Sequence, residues 1–433
     1  MLLNILYSML LIAVSPLLLY RVCRYGKYRH GWPAKLWGAT GLPPSERRRL
    51  WLHAVSVGEI NLLRGLVQKI EARHPDLPIV VSSTTATGFE LAKQHFGKDR
   101  VFYCPLDFTW AVRRAIREVN PSKLVLAELE IWPNLIAIAT SPPNHIPVVV
   151  INGRLSRNSF RGYRRFLRWV QPTFRRLTMV ACQDDAYAER FRELGTAPES
   201  VVVTGSIKFD DAPTDRETAA AKRCIEMAGL KTSHQVWVAG SLQGGEEAII
   251  LRAFKRLQAN LPELRLLIVP RHPENFDNTE RAIQNAGLQC RRRSQAHPIA
   301  EELKSDQVFL VDTIGELKDW WATADIAFVG GSFGNRGGQN MLEPAGYGAA
   351  VCFGPNTKNF RDIVSHLLSG KGAEVVQDEE ALVNFIQRMA TDPETATRMG
   401  NAAKKVVQQH LGATEKTLQL LNLDQRNVQA LHL

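Results

Sequence analysis

The sequence contains no low-complexity tract, and with 45% hydrophobic and 22% charged residues it does not have the composition of a disordered chain. Its six cysteines, Cys23, Cys104, Cys182, Cys224, Cys290 and Cys352, lack the paired spacing of a zinc site or a disulfide framework. They lie mostly inside apolar runs and read as reduced core residues of a body that faces the cytoplasm. No basic residue precedes the apolar N-terminus, which excludes the usual pattern of a cleavable signal peptide, where positive charge comes first. No Asp-x-Asp pair stands at a strand end. Asp184-Asp185 and Asp210-Asp211 are adjacent and would diverge in an extended chain, so nothing visible requires a metal or any other cofactor.

At 433 residues the chain exceeds what one hydrophobic core usually serves, so two domains are expected. Residues 1–20 (MLLNILYSMLLIAVSPLLLY) carry no charge and are about long enough to span a bilayer as a helix. Arg21, Arg24, Lys27 and Arg29 follow at once, so the positive-inside rule predicts a single-pass anchor that delivers the rest of the chain to the cytoplasm. The alternative is a packed amphipathic helix kinked at Pro16, for which Asn4, Ser8 and Ser15 speak. Eight basic residues against Glu46 give the first fifty residues a net charge of +7, of a total of +11, a skirt suited to anionic lipid. A second basic cluster, Arg154, Arg157, Arg161, Arg164, Arg165, Arg168, Arg175 and Arg176, interleaves Phe160, Tyr163, Phe166, Leu167 and Trp169. Nucleic acid would also suit such a patch, but the apolar N-terminus favours a membrane face or a phosphorylated lipid, so no nucleic acid is expected as partner.

From residue 50 onward short apolar runs alternate with amphipathic stretches such as 61–73 and 110–118. Strands are expected at 50–54, 79–82, 101–103, 124–127, 148–151, 179–181 and 201–204, and again at 236–239, 265–269, 308–311, 326–329 and 350–353. This rhythm predicts an α/β protein of two doubly wound, Rossmann-like domains, with ligands gathering in a cleft at the carboxyl ends of strands. The expected partition is an anchor at 1–21, a first domain at 22–207, a polar linker at 208–233 and a second domain at 234–413. The stretch 414–433 is expected to be helical and to pack back on the first domain.

Several constellations stand at expected strand ends. In His53-Ala-Val-Ser-Val-Gly-Glu59, Gly58 permits a tight turn and Glu59 falls at the start of a helix, where a carboxylate can act as a general base toward a hydroxyl. The bland alternative is an acid placed there by the helix dipole. Glu128-Leu-Glu130 follows the strand at 124–127, and the expectation is that at least one acid reaches the site while the other lies on the opposite side of the chain. A capping or salt-bridge role fits that pair equally. Lys208 in Gly205-Ser-Ile-Lys208-Phe-Asp210 can meet a phosphate or a carboxylate, or be a solvated lysine between domains. The second half of the chain adds Gly240-Ser241, Gly244-Gly245-Glu246, Pro270-Arg271-His272, Gly330-Gly331-Ser332 and Gly337-Gly338-Gln339-Asn340-Met341-Leu342-Glu343. Glycines before a helix let backbone N–H groups approach a phosphate, Arg271 can bind one in bidentate fashion, and Glu343 can accept from ribose hydroxyls. One Gly-Gly is common loop punctuation; their recurrence in one domain favours a nucleotide.

HAVSVGE at 53, TTATG at 84, ELEIWPN at 128, NGRLS at 152, GSIKFD at 205, VPRHPE at 269, DTIGEL at 312, FVGGSF at 328 and GGQNMLEP at 337 resemble, in order and spacing, the 3-deoxy-D-manno-octulosonic-acid (Kdo) transferases of lipopolysaccharide synthesis. The resemblance covers nearly the whole chain. It implies a GT-B fold and an inverting transfer of Kdo from CMP-Kdo to the lipid A precursor, lipid IV-A, on the cytoplasmic face of the cell inner membrane. It places Glu59 where the family has its general base, and Glu128 and Lys208 where it has groups that stabilise the transition state. Pro270, Arg271, Ile314, Gly315, Glu316, Asn340, Met341, Leu342 and Glu343 match the segments that bind CMP. Arg154, Arg161, Arg164, Arg165 and Arg168 would face the acceptor's phosphates and the membrane.

The sequence departs from the family's pattern twice. Ser241-Leu242-Gln243-Gly244-Gly245-Glu246 stands where the family usually reads Ser-Thr-His-x-Gly-Glu, and Gly338-Gln339-Asn340-Met341 stands where it usually reads Gly-Gly-His-Asn-Pro. Each change removes a histidine. The near rival is another GT-B nucleotide-sugar transferase acting on a different membrane acceptor. The distant one is a tethered two-lobed binding protein, a class that sits behind a cleavable signal.

Overall fold

The computed structural model describes residues 2–25, 31–297 and 301–423. The chain forms two compact units: the first runs to Asp211 and takes up the chain again at Leu411, and the second is Ala212–His410. Each holds a seven-stranded, wholly parallel sheet with helices.

The first sheet contains β1 (Arg49–His53), β2 (Ile79–Ser83), β3 (Val101–Tyr103), β4 (Pro121–Ala127), β5 (Val148–Gly153), β6 (Met179–Cys182) and β7 (Val201–Val203). Their order is β3-β2-β1-β4-β5-β6-β7, so the winding reverses between β1 and β4. Strands such as Leu50-Trp51-Leu52 and Leu124-Val125-Leu126 are continuously apolar because helices cover both faces, and all six residues are fully buried. Trp51 Nε1 donates to Ser82 Oγ at 2.7 Å, so the largest side chain of this first core has its polar atom satisfied. Helix Val57–Arg73 shows the general pattern: Ser56 caps it, and Ile60, Leu63, Val67 and Ile70, spaced three and four apart, face the sheet with at most 2% exposure.

The second sheet contains β8 (Gln235–Leu242), β9 (Leu264–Pro270), β10 (Gln289–Arg292), β11 (Gln307–Leu310), β12 (Ile326–Val329), β13 (Ala350–Phe353) and β14 (Ala373–Val375), in the order β10-β11-β9-β8-β12-β13-β14. Here the reversal lies between β8 and β12. Every strand expected from the sequence is present. The two that were not expected, β10 and β14, are the edges of this sheet, where half-exposed residues such as Arg291 and Glu374 erase the apolar signal.

Part of the stretch expected as a linker is folded: Thr218 caps helix Ala219–Ala228, which buries Ala221, Cys224 and Ala228 in the second unit. Helix Ala413–Leu421 returns to the first unit. Asp210 accepts N–H bonds from Gly412 and Ala413 at 2.6 and 3.3 Å, and Glu415 pairs with Lys69 and Arg73. Residues 424–433 of that expected helix, and Lys27 and Arg29 of the basic skirt, lie outside the described residues.

The expected membrane span needs correction. Leu2–Tyr25 is an α-helix with Pro16 inside it, but no helix among the described residues is long and apolar enough to cross a membrane. Its polar residues are used within the fold. Asn4 Nδ2 donates to Thr109 Oγ1 at 2.7 Å, Asn134 Nδ2 donates to Asn4 Oδ1 at 3.2 Å, and the Tyr7 hydroxyl donates to Asp107 Oδ2 at 3.1 Å. A segment that spends an amide and a phenol on such contacts is a packed helix at its N-terminal end, the alternative that Asn4 and Pro16 had signalled.

Candidate functional site

The carboxyl ends of β1 and β4 meet at the reversal point of the first sheet, where open α/β sheets gather their ligands. Glu59 lies in the first turn after β1. Its carboxylate accepts from the Val55 N–H at 2.8 Å and the Ser56 hydroxyl at 2.7 Å, while the Glu59 N–H donates back to Ser56 Oγ at 3.2 Å. Ser56 caps the helix and Glu59 reaches back over it to the preceding N–H, a variant of the capping box, so the helix-start role is real. Each oxygen keeps a second lone pair for another donor. The carboxyl pKa is raised, first by burial and then by the charges of Glu128 and Glu130, against the two hydrogen bonds that lower it.

Glu128 does not follow the alternation of β4. The strand ends at Ala127, and Glu128 turns with φ +54°, a conformation that costs a non-glycine residue free energy and persists only where the surroundings impose it. Its N–H donates to the Ile151 carbonyl at 2.9 Å. Glu128 and Glu130 both act by charge on the Glu59 carboxyl, whereas the sequence reading set one of them on the opposite side of the chain; residues two apart in an extended strand share a face, so that expectation used the wrong period. Lys208 Nζ meets Glu128 Oε1 at 2.8 Å, so the pair is a half-buried ion bridge, not a solvated lysine. Asn152, buried at the end of β5 with φ +52°, accepts the Ile207 N–H at 3.1 Å and thereby holds the turn that carries Lys208.

His53, the last residue of β1, is fully buried. Its Nδ1 lies 2.9 Å from Ser82 Oγ, and its Nε2 lies 3.7 Å from Glu130 Oε2. Burial favours the neutral ring, but the Cys104 thiol and the Glu130 carboxylate outweigh it and raise the pKa to about 10. Glu130 also accepts from Trp132 Nε1 at 3.0 Å. Neither His53 nor Asn152 was singled out by the sequence reading. An NG dipeptide after a strand is a turn signal for Asn152; nothing local marks a buried histidine as a partner of Glu130.

The second unit is arranged differently. At its reversal point Glu246 is 2% exposed and its carboxylate accepts four backbone N–H bonds, from Gln243, Gly331, Ser332 and Phe333, at 2.7–2.9 Å. It ties the loop after β12 to the loop after β8. Gly330 must be glycine there, because a Cβ would lie 2.6 Å from the Ser241 carbonyl oxygen and 2.8 Å from Glu246 Oε2. Gln243 and Gln339, at the two positions where the resemblance implies histidines, both lie against Gly331: a Cβ there would be 3.7 and 3.2 Å from their Nε2 atoms. The two departures from the pattern are therefore one local change.

Pro270 ends β9 and Arg271 is exposed just beyond it, its N–H donating to the Leu242 carbonyl at 3.1 Å. Burial raises the Glu343 pKa, while the Asn340 amide at 3.1 Å and the charges of Lys318 and Arg271 lower it, so these groups share one neighbourhood. Ile314 is 78% exposed, and Gly315 beside it has φ +88°. Glu316 is already held by Arg293 through two bonds of 3.0 Å and by the Thr313 hydroxyl, so it shapes the loop. Met341 and Leu342 are buried in the core, at 0% and 3% exposure, so only their main chain can meet a ligand.

The basic cluster runs over helices Arg157–Arg165 and Leu167–Phe174 of the first unit, with Arg154 before them and Arg175 and Arg176 after. Arg161, Arg164, Arg165 and Arg168 are exposed and Arg154 is half-buried; Arg164 approaches Glu193 at 3.8 Å.

Two parallel, doubly wound seven-stranded sheets, each with one reversal of its winding, give the chain a GT-B fold. The solved glycosyltransferase from Rickettsia africae shows the same fold, with a TM-score of 0.52 at 11% identity over 88% of this chain and all of that one. The chain belongs to the 3-deoxy-D-manno-octulosonic-acid transferase (kdotransferase) family, whose N-terminal domain matches residues 26–211. It is 34% identical to the 3-deoxy-D-manno-octulosonic acid transferase of Haemophilus influenzae, over 96% of this chain and 97% of that one. To the Bordetella pertussis transferase of the same name it is 32% identical, over 86% of each chain.

Proposed function

We propose that this Kdo transferase moves Kdo from CMP-Kdo to the lipid A precursor, lipid IV-A, with inversion at the anomeric carbon and without a metal, at the cytoplasmic face of the inner membrane. The observation that carries this reading is Glu59: a buried carboxylate with raised pKa at the reversal point of the first sheet, beside the Glu128–Lys208 bridge. A base with a raised pKa is better matched to proton abstraction near neutral pH. Glu59 takes the proton of an acceptor hydroxyl, and that oxygen bonds to the anomeric carbon. The carbon–oxygen bond to the phosphate breaks, and CMP leaves with the bonding pair. Lys208 balances the charge that Glu128 brings to the site, and the guanidinium of Arg271, with the glycine-rich loops of the second unit, takes the nucleotide's phosphate. Glu343 and Asn340 suit the ribose hydroxyls.

The test is purified protein with CMP-Kdo and lipid IV-A, products resolved by mass, with and without a chelator. One or more Kdo units added at an unchanged rate in chelator is the expected result. Transfer only from another nucleotide sugar, or a strict need for a divalent cation, would overturn the donor or the metal-free step respectively.

A further inference from the structure

Packed against the first unit, the N-terminal helix forms one wall of an open groove of about 1200 Å³, and helices Arg157–Arg165 and Leu167–Phe174 form the other. The lining is apolar: Leu3, Leu6 and Met9 from the first wall, Gly162, Phe166 and Trp169 from the second. Met9 is 64% exposed, Phe166 59% and Trp169 73%, a concentration of bare apolar surface that marks a binding face. The first wall is fixed by a buried polar seat. Asp107 accepts the N–H groups of Asn134 and Leu135 at 2.9 and 2.8 Å together with the Tyr7 hydroxyl, and Asn4 bridges Thr109 and Asn134.

We infer that this groove takes one acyl chain of the phosphorylated lipid acceptor, so that the N-terminal helix is part of the acceptor site. The inference rests on the transfer reading above and adds what recognises the acceptor's tail. Charge identifies the occupant. Arg161, Arg165 and Arg168 lie on the same two helices as the lining residues, are exposed, and have no ion-pair partner among the described residues. A neutral lipid would leave them unused and a free phosphate would leave the groove empty; an amphiphile with an anionic head satisfies both. Connectivity favours the acceptor over bulk lipid. The groove helix Arg157–Arg165 leaves the end of β5, and Asn152 at that same strand end holds the turn of Lys208, which bridges to Glu128. Tail and head would thus be held from one strand end.

The groove can be closed without disturbing the fold: a Cβ at Gly162 meets nothing within 4 Å, so Gly162→Trp projects a ring into open space. Kinetics on acceptors of one headgroup and graded chain length, in fixed detergent micelles, test the assignment. Each buried methylene is worth about four-fold in affinity, so shortening the chain by two carbons should raise wild-type KM on the order of ten-fold with kcat little changed. In Gly162→Trp that dependence should flatten, while Gly162→Ala keeps it. Wild-type chain-length dependence in Gly162→Trp would overturn the proposal. A direct readout stands apart from turnover: an acceptor with a brominated chain should quench Trp169 fluorescence, and Trp169→Phe should remove that quenching. Equal quenching by brominated phosphatidylglycerol vesicles that compete with the acceptor would assign the groove to bulk lipid and overturn this occupant. Specific quenching by the acceptor in a protein that transfers no Kdo would leave the groove assignment standing and refute the transfer reading.

Discussion

The two units wind their sheets in closely related ways and equip the reversal points in opposite ways. In the first, the strand ends carry titratable side chains: Glu59 after β1, Glu128 and Glu130 after β4, with Lys208 and His53 beside them. In the second, the loops at the reversal point are rich in glycine, Arg271 stands just beyond β9, and the buried carboxylate at the reversal point, Glu246, is consumed by four backbone N–H bonds. Side chains whose charge can change suit proton transfer; main chain held rigid and uncharged suits the binding of an anion that leaves unchanged in protonation. On the transfer proposed above, the same topology separates chemistry from grip.

That contrast is most easily broken at Glu59. Glu59→Gln should lower kcat by about 10²–10⁴-fold, the usual worth of a positioned base. Glutamine still completes a capping box, so stability should change by less than about 1 kcal/mol, and CMP affinity by less than about two-fold. Titration calorimetry with CMP beside a turnover assay checks it. A variant with near-normal turnover would reduce Glu59 to its capping role.

Glu246→Ala should do the reverse. It strands four buried N–H donors, a local loss of about 3 kcal/mol, so amide exchange at Gly331, Ser332 and Phe333 should accelerate on the order of 100-fold. CMP affinity should fall about ten-fold or more, while the first unit keeps its own melting behaviour. If exchange at those amides and CMP affinity both stay normal, the carboxylate does not organise the second unit's site.

The sequence reading reached the sheets because a parallel strand covered on both faces is apolar along its length, as at Leu50-Trp51-Leu52. It missed β10 because Gln289-Cys290-Arg291-Arg292 lies at an edge, where that pressure is absent. At the candidate site the misses differ in kind. Glu128 and Glu130 were set on opposite sides of the chain although residues two apart in a strand share a face, and both in fact act by charge on Glu59; the left-handed turn at Glu128 has no signal in the sequence. Glu246 reads locally as an acid at a helix start, and only the fold shows that its partners lie some 85 residues onward, as with Gly331. The N-terminal segment misled through composition: its lack of charge resembles a span, while two polar residues, Asn4 and Tyr7, decide that its end docks on the protein.

The finest distinction concerns whether the carboxylates of the first unit act on one another. Burial is the larger reason that the Glu59 pKa is raised, and the negative charges of Glu128 and Glu130 add to it. Glu59 serves as a base only when ionised, so activity is lost as pH falls through that raised value. Glu130→Gln removes one of the repelling charges without touching the hydrogen bonds from Val55 and Ser56. The acid limb of kcat/KM should therefore move to lower pH, with kcat on the plateau changed by less than about ten-fold. The other charged group facing Glu130 is His53, 3.7 Å away and itself held protonated in part by that carboxylate. If His53 already cancels the Glu130 charge, the limb will stay in place or rise, and the cluster is then two independent pairs, Glu128 with Lys208 and Glu130 with His53, beside a base tuned by burial alone.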